Sequence, residues 1–336
     1  MTERTLKPGR VAVVGAGLAG LACAEALQAS GATVTVFDKS RGPSGRMSTR
    51  RGDTWQCDHG AQYFTARDAA FRAEVGRWVA AGVAAPWQPR LAVFGPRPVP
   101  EASESTERFV GTPRMTSPAG FIAQGLNVQL QTTVTALVRQ PAGWQLQTAE
   151  HGLLDTLFDA VMLAVPSPQA VPLLQEPAPE LAALAAGARM RGSWALMLRY
   201  DAPVAVPFDA AFVNEGPLRW VARDSSKPGR PAGPGETWLL HAEAEWSEAH
   251  IEDTPEQAAE ALLQAFGALG APQPASWSAH RWRYADTAPP LGQEAVWQPA
   301  LGLGLCGDWL GSGKVEGAWR SGRSLAALVS GAARPA

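Results

Sequence analysis

Three groups of residues in this chain have the types and spacing to do chemistry. The first is Gly15-Ala16-Gly17-Leu18-Ala19-Gly20, with Asp38 placed 23 positions after Gly15. Glycines so spaced permit a tight turn, a close backbone approach to a pyrophosphate, and close packing of a helix on a strand. The helix start then offers free N–H groups to phosphates, and a carboxylate at Asp38 suits ribose hydroxyls, with no 2′-phosphate implied. The second group is Gly307-Asp308-Trp309 with the glycine-rich turn and helix that follow. A carboxylate at a strand end before a second helix start suits the sugar-like chain and one ring end of an extended cofactor. The third is Asp58-His59-Gly60-Ala61-Gln62-Tyr63-Phe64, where small residues let the backbone pass close to a flat ring that Tyr63 is set to stack on or cap.

The elements that must position these groups follow from the apolar pattern. Val11–Val14 reads as a buried parallel strand, the alanine- and leucine-rich run after it as a helix ending near Gly31, and Thr33–Phe37 as a second strand. Arg4, Lys7 and Arg10 before an apolar run raise a secretory signal as the rival, but three glycines, Glu25 and a following strand argue for retention in the mature fold. Residues 1–9 read as a disordered lead-in. The basic loop Lys39–Met47 brings Arg41 and Arg46 near a pyrophosphate. Ala69–Val83 is predicted to be amphipathic, with Phe71, Val75, Trp78 and Val79 on one face; residues 84–100 form a proline-rich surface loop with a short strand at Leu91–Phe94. Phe109–Pro113 and Pro118–Gly120 read as turn-laden crossings. Val128–Val138, Trp144–Thr148 and Ala160–Val165 read as a three-stranded meander. Gly192–Tyr200, Trp238–His241 and Trp277–Tyr284 read as a second sheet, Ser225–Glu236 as a flexible loop, and Pro255–Leu269 as a helix. Leu303–Cys306 and Val315–Leu328 complete the chain as strand and helix.

Composition narrows the function classes. A chain of 336 residues with 46% hydrophobic content can bury a large core in two lobes. A formal charge of −2 gives no electrostatic case for nucleic acid or an anionic membrane, and no apolar run is long enough to span one. Cys23, Cys57 and Cys306 lack paired or metal-ligand spacing, as do the five histidines, so no metal is expected and a reducing cytoplasm fits. The 13 tryptophans are expected to be mostly core.

DKSRGPSGRMS, DHGAQYFTARD, HRWRYA and CGDW…GKVEGAWRSG, in that order, make the chain similar to the bacterial renalase-type branch of the FAD-dependent amine oxidase superfamily. The resemblance spans nearly the whole chain. It implies an α/β fold with a Rossmann-type FAD-binding lobe of the p-hydroxybenzoate hydroxylase-like or glutathione reductase-2 type, carrying a β-meander, plus an α+β substrate cap with a mixed sheet. The division expected is 1–70, 115–170 and 290–336 for the FAD lobe, and 71–114 and 171–289 for the cap. Non-covalent FAD is implied, with O2 as electron acceptor, H2O2 as product, and off-target dihydronicotinamide isomers (2- or 6-dihydro-NAD(P)) as donors, a metabolite-repair role. By motif position, Gly15, Ala16, Gly17, Leu18, Ala19, Gly20, Asp38, Lys39, Arg46, Met47, Gly60, Ala61, Gln62, Val134, Asp308, Val315, Glu316, Gly317 and Ala318 are implied to touch FAD. Tyr63, His241 and Trp282 match the substrate-side aromatic shell. Pro43 and Ser44 stand where the family often has Ser-Gly, His59 occupies a position often apolar, and the lysine of true monoamine oxidases aligns with Leu196.

Hydride transfer from a dihydropyridine needs near-attack geometry and little acid–base chemistry. The expectation is that Tyr63 and Trp282 sandwich the nicotinamide ring while His241 donates to or orients its carboxamide; ordinary core roles are the alternative for each. Arg281 and Arg283 either meet substrate phosphate or form surface ion pairs. Rival functions are oxidation or desaturation of an amine, carotenoid or porphyrinogen, and a redox-inert flavin-binding sensor.

Overall fold

The structure, a computed structural model, describes residues 9–331 apart from 97, 98, 100, 101 and 104. The expected lead-in therefore lies, but for Gly9, outside the described residues. In chain order the first unit is Arg10–Val14 (β1), Leu18–Ala29 (α1) and Thr33–Phe37 (β2), followed by the hairpin Thr49–Arg51 (β3) and Gln56–Asp58 (β4) and the helix Ala69–Ala80 (α2). Next come Ala84–Pro86 (β5), Leu91–Phe94 (β6), Phe109–Gly111 (β7), Ser117–Ala123 (α3), Asn127–Gln129 (β8), Val134–Gln140 (β9), Gly143–Thr148 (β10), Gly152–Leu153 (β11) and Ala160–Leu163 (β12). Ser167–Leu174 (α4) and Pro179–Ala186 (α5) lead into Met190–Tyr200 (β13), Ala210–Val213 (β14), Leu218–Arg223 (β15), Glu236–Ala242 (β16), Ala244–Ala249 (α6), Pro255–Ala268 (α7) and Ser276–Thr287 (β17). Ala295–Gln298 (β18), Leu303–Cys306 (β19) and Lys314–Ser330 (α8) close the chain.

Two six-stranded sheets organise these elements. The first has the order β18-β19-β12-β1-β2-β8, parallel except for the edge strand β18. Its central strands β1, β12 and β19 are apolar apart from the exposed Arg10, because both faces are covered, and α1 and α8 pack together on one of them. The glycines allow this packing: a Cβ on Gly20 would overlap the Gly15 carbonyl, and one on Gly322 would overlap that of Ala19. Gly15, at φ +108, would set a Cβ 2.6 Å from the Ala164 oxygen. The second sheet, β17-β13-β16-β15-β14-β6, is antiparallel apart from the β14–β6 pair, and α7 covers its outer face through Ala258, Ala259, Leu262 and Phe266.

Several sequence expectations change. Ala160–Leu163 pairs with β1 and β19 inside the parallel sheet; the third strand of the meander is β11. An apolar run of four residues fits either place, and only the crossover decides. Val128–Val138 is two strands, broken where Gln131 takes φ 52. The turn expected at Pro118–Gly120 is α3, with proline tolerated in its first turn. Residues 84–86 and 109–111 pair as β5 and β7, burying Trp87 and Phe109. Val79 is exposed, outside the buried face of α2 formed by Phe71, Val75 and Trp78. Ser225–Glu236 is anchored at its start, since Lys227 is buried and the Arg230 side chain is 1% exposed.

Candidate functional site

Between the two sheets lies a cavity of 2510 Å³, several times the about 300–1,000 Å³ of an ordinary small-molecule site. One end is the turn between β1 and α1. Gly17 faces it with nothing within 4 Å of where a Cβ would stand, and no side chain caps α1, so its first N–H groups stay available to phosphate. Asp38, at the end of β2, accepts from Ala16 N (2.6 Å) and Ser40 N (2.7 Å), which fixes the carboxylate beside that helix start. The loop bearing Ser44 folds back on the turn, with Ser44 N donating to the Ala16 oxygen at 3.0 Å.

The other end joins the first and last motifs. Arg46 makes a two-pronged ion pair with Asp308 and also donates to the Ala285 oxygen at 2.9 Å, at the C-terminal end of β17. Three segments meet at one guanidinium, whose planar fork suits a carboxylate. Gly60 presses on the same place: a Cβ there would overlap the Arg46 carbonyl, which accepts from Ala61 N.

The wall facing the second sheet is built of rings. His280, Ala195, His241 and Trp220 lie in one cross-strand row over β17, β13, β16 and β15, and Trp282 with Ser193 forms the next. The β4 loop wedges against this face. The His59 carbonyl accepts from Trp282 Nε1 at 2.9 Å and lies 3.2 Å from His241 Nε2. A carbonyl only accepts, so His241 carries its proton on Nε2 and offers Nδ1 as an acceptor; the expected donor role toward a carboxamide is reversed. The His59 ring stacks on Trp282 (5.3 Å, 24°) and meets His280 edge-on at 4.8 Å. Burial lowers all three imidazoles, His59 to about 3 and His241 to about 4, with the Arg50 charge adding to the effect on His59 and His280. The wall is uncharged at neutral pH.

Of the residues singled out in the sequence, Gly15, Gly17, Leu18, Ala19, Asp38, Lys39, Arg46, Met47, Gly60, Ala61, Val134, Asp308, Val315, Ala318, His241 and Trp282 line the cavity. Ala16, Gly20, Gln62, Tyr63, Glu316 and Gly317 do not. Gly20 serves packing, and Gly317 sits close under Ser312. Glu316 turns away to accept from the Arg67 and Asp68 N–H groups, tying α8 to the start of α2. Tyr63 packs against Trp220 and beneath Arg108, so the sandwich with Trp282 is not formed; His59 takes that place. Leu196 points to the outer layer of the second sheet with Leu198, Leu240 and Leu262. Arg281 and Arg283 share Glu252.

Behind the wedge is a buried network that no local pattern announces. Lys227 Nζ contacts Asp224 (2.7 Å), Asp58 (3.1 Å) and Gln62 Oε1 (3.2 Å), and Arg230 pairs with Asp58. Gln62 passes the constraint on, donating to the Asp58 and Gly60 carbonyls. The two cations hold Asp58 at about 2 against its burial, while burial and Asp58 push Asp224 up to about 6.

These features fit FAD: a phosphate-ready helix start with a ribose-side carboxylate at one end, a second carboxylate and an aromatic wall at the other. Cys23, Cys57 and Cys306 are all buried and none lines the cavity, in keeping with a non-covalent cofactor. Among the described residues no group of His, Cys, Asp or Glu is placed to hold a metal, and no helix is long and apolar enough to cross a membrane.

Comparison with known proteins agrees. A family model described as NAD(P)-binding Rossmann-like domain matches residues 13–74, and one described as flavin containing amine oxidoreductase matches residues 103–330, more than half of the chain. Among solved structures, a putative protoporphyrinogen oxidase from Exiguobacterium sp. 255-15 superposes with a TM-score of 0.75 at 13% identity, covering 96% of this chain and 98% of that one. Cyclohexylamine oxidase from Brevibacterium oxydans IH-35A gives 0.71 at 14% identity, covering 96% and 99%. At such identities the likeness is one of fold. The bifunctional tRNA 5-methylaminomethyl-2-thiouridine biosynthesis protein MnmC of Magnetococcus marinus is 29% identical over 212 residues, covering 48% of this chain. The chain spans only 30% of the length of that relative.

Proposed function

Since the chain belongs to the flavin containing amine oxidoreductase family and its cofactor is FAD, we propose that it oxidises dihydronicotinamide dinucleotides whose hydride sits at the wrong ring carbon, returning them to NAD(P)+. FAD, when bound, would supply the two-electron acceptor for the hydride, with O2 as the final acceptor and H2O2 as the product. The observation that carries this reading is the uncharged wall of Trp282, His59, His280 and His241. A dihydropyridine gives up a hydride without first losing a proton, and acid destroys it. Flat rings that orient it while donating no strong acid therefore suit it. Trp282 and His241 are held at fixed height by one carbonyl, which gives the positioning that near-attack geometry requires.

An ammonium substrate calls instead for a carboxylate or base at its nitrogen, which must lose a proton before the adjacent carbon gives up its hydride. The cavity's Asp286 is paired with Arg191, and Glu243 caps α6 by accepting from Trp246 N; Glu245 and Glu215 are exposed. The volume of the cavity also leaves room for a nucleotide beside FAD. The test is anaerobic mixing of the yellow protein with isomerised dihydronicotinamide dinucleotide and, separately, with a panel of amines. Bleaching of the flavin by the isomers alone is expected. Bleaching by amines alone returns the chain to amine oxidation, and bleaching by neither removes both readings.

A further inference from the structure

We propose that Arg50 recognises the phosphate of the substrate, so that the donor is a nucleotide bound by its anion as well as by its ring. The inference rests on the function proposed above. Most of the arginines beside the ring wall are already committed: Arg46 to Asp308, Arg191 to Asp286, Arg281 and Arg283 to Glu252, and Arg219 to the Asn214 amide oxygen. Arg50 is exposed to the cavity and, among the described residues, has no acidic partner. Its guanidinium keeps its whole fork of donors for a ligand.

Its place in the hairpin aims it at the substrate end. Arg50 pairs across β3 and β4 with Cys57, and directly opposed residues of an antiparallel pair project to the same side. Cys57 packs against Ala195, whose cross-strand neighbours are His280 and His241. Arg50 therefore leaves its hairpin on the side of the ring wall, and its charge is felt at both His59 and His280. Lys39 and Arg41 lie one and three positions after Asp38 at the opposite end of the cavity, beside the helix start suited to the phosphates of the cofactor. In a nicotinamide nucleotide the first phosphate stands one ribose away from the ring, so an anion contact beside the wall is where it belongs.

Arg50→Gln and Arg50→Lys, checked for unchanged flavin content and visible spectrum, are compared with the unmodified protein on three isomerised donors: the dinucleotide, the mononucleotide and the phosphate-free riboside. Arg50→Gln is expected to raise KM roughly tenfold for the two phosphorylated donors with kcat unchanged, and to change the riboside by less than about twofold. Arg50→Lys is expected to recover part of the loss, and the difference is expected to shrink as salt is raised. Equal losses on all three donors, or none on any, overturn the assignment while leaving the proposed function standing. Failure of the unmodified protein to oxidise any of the three overturns both.

Discussion

Removing Lys227 would expose the electrostatics of the network behind the ring wall. With Asp58, Asp224, Lys227 and Arg230 all ionised the buried charges cancel; Lys227→Met leaves one negative charge in excess where the side chains are 0–1% exposed. Taking one partner from a buried pair costs about 3–5 kcal/mol, less whatever is relieved when a carboxylate takes up a proton. Asp224 is the group that takes it. Its value is already raised from 3.8 to about 6, so its contribution to stability is full below about 3.8 and is lost as pH rises to about 6. Lys227 is one of the charges lowering that value, and without it the loss continues to higher pH. The deficit of the variant should therefore be about 3–5 kcal/mol at pH 8 and distinctly smaller at pH 5. Urea unfolding of both FAD-loaded proteins, followed by tryptophan fluorescence, measures it. A deficit equal at the two pH values, or below about 1 kcal/mol at pH 8, would refute the reasoning.

Other expectations bear on the site itself. Trp282→Ala should slow anaerobic flavin reduction at least about tenfold and leave reoxidation by O2 almost unchanged in stopped-flow traces; equal slowing would make the residue structural. The reduction rate should be flat from pH 7 to 9, because His59 and His241 titrate near 3 and 4 and burial holds His280 below its ordinary 6.5; a limb within that range would contradict an uncharged wall. Asp308→Ala should purify flavin-poor, whereas Glu316→Ala should keep its flavin and lose about 1 kcal/mol of stability, as befits a carboxylate that accepts two backbone N–H groups. Absorbance ratios and thermal unfolding distinguish the two.

The cofactor end of the molecule was legible because its chemistry is local. Gly15, Gly17, Gly20 and Asp38 act within one strand–turn–helix–strand unit, and the spacing alone orders them. The wall was harder to read, since it depends on register between distant strands: His280 opposite Ala195 opposite His241 is a fact of β13 pairing on both sides. Tyr63 faces Trp220 and not the cavity, and an irregular segment has no period from which to read which side chains turn inward. His59 acts through its carbonyl, which orients two side chains, a main-chain function that no residue type signals. Lys227 and Arg230 sit in a Pro- and Gly-rich stretch that reads as loop, and their partner Asp58 lies 169 and 172 positions away. Glu316 sits inside a recognisable motif, but its side chain faces another helix.

The carbonyl of His59 has a consequence for how such a protein can diversify. It belongs to the chain segment that carries the cavity-lining Gly60 and Ala61, yet it orients side chains on β16 and β17 of the opposite sheet. The ring wall and the loop that faces it are thus not separable modules. A second sheet grafted from another member of the family would bring its own rings but not the acceptor that orients them, so exchange by recombination should succeed only when residues 56–62 and 224–230 travel with that sheet.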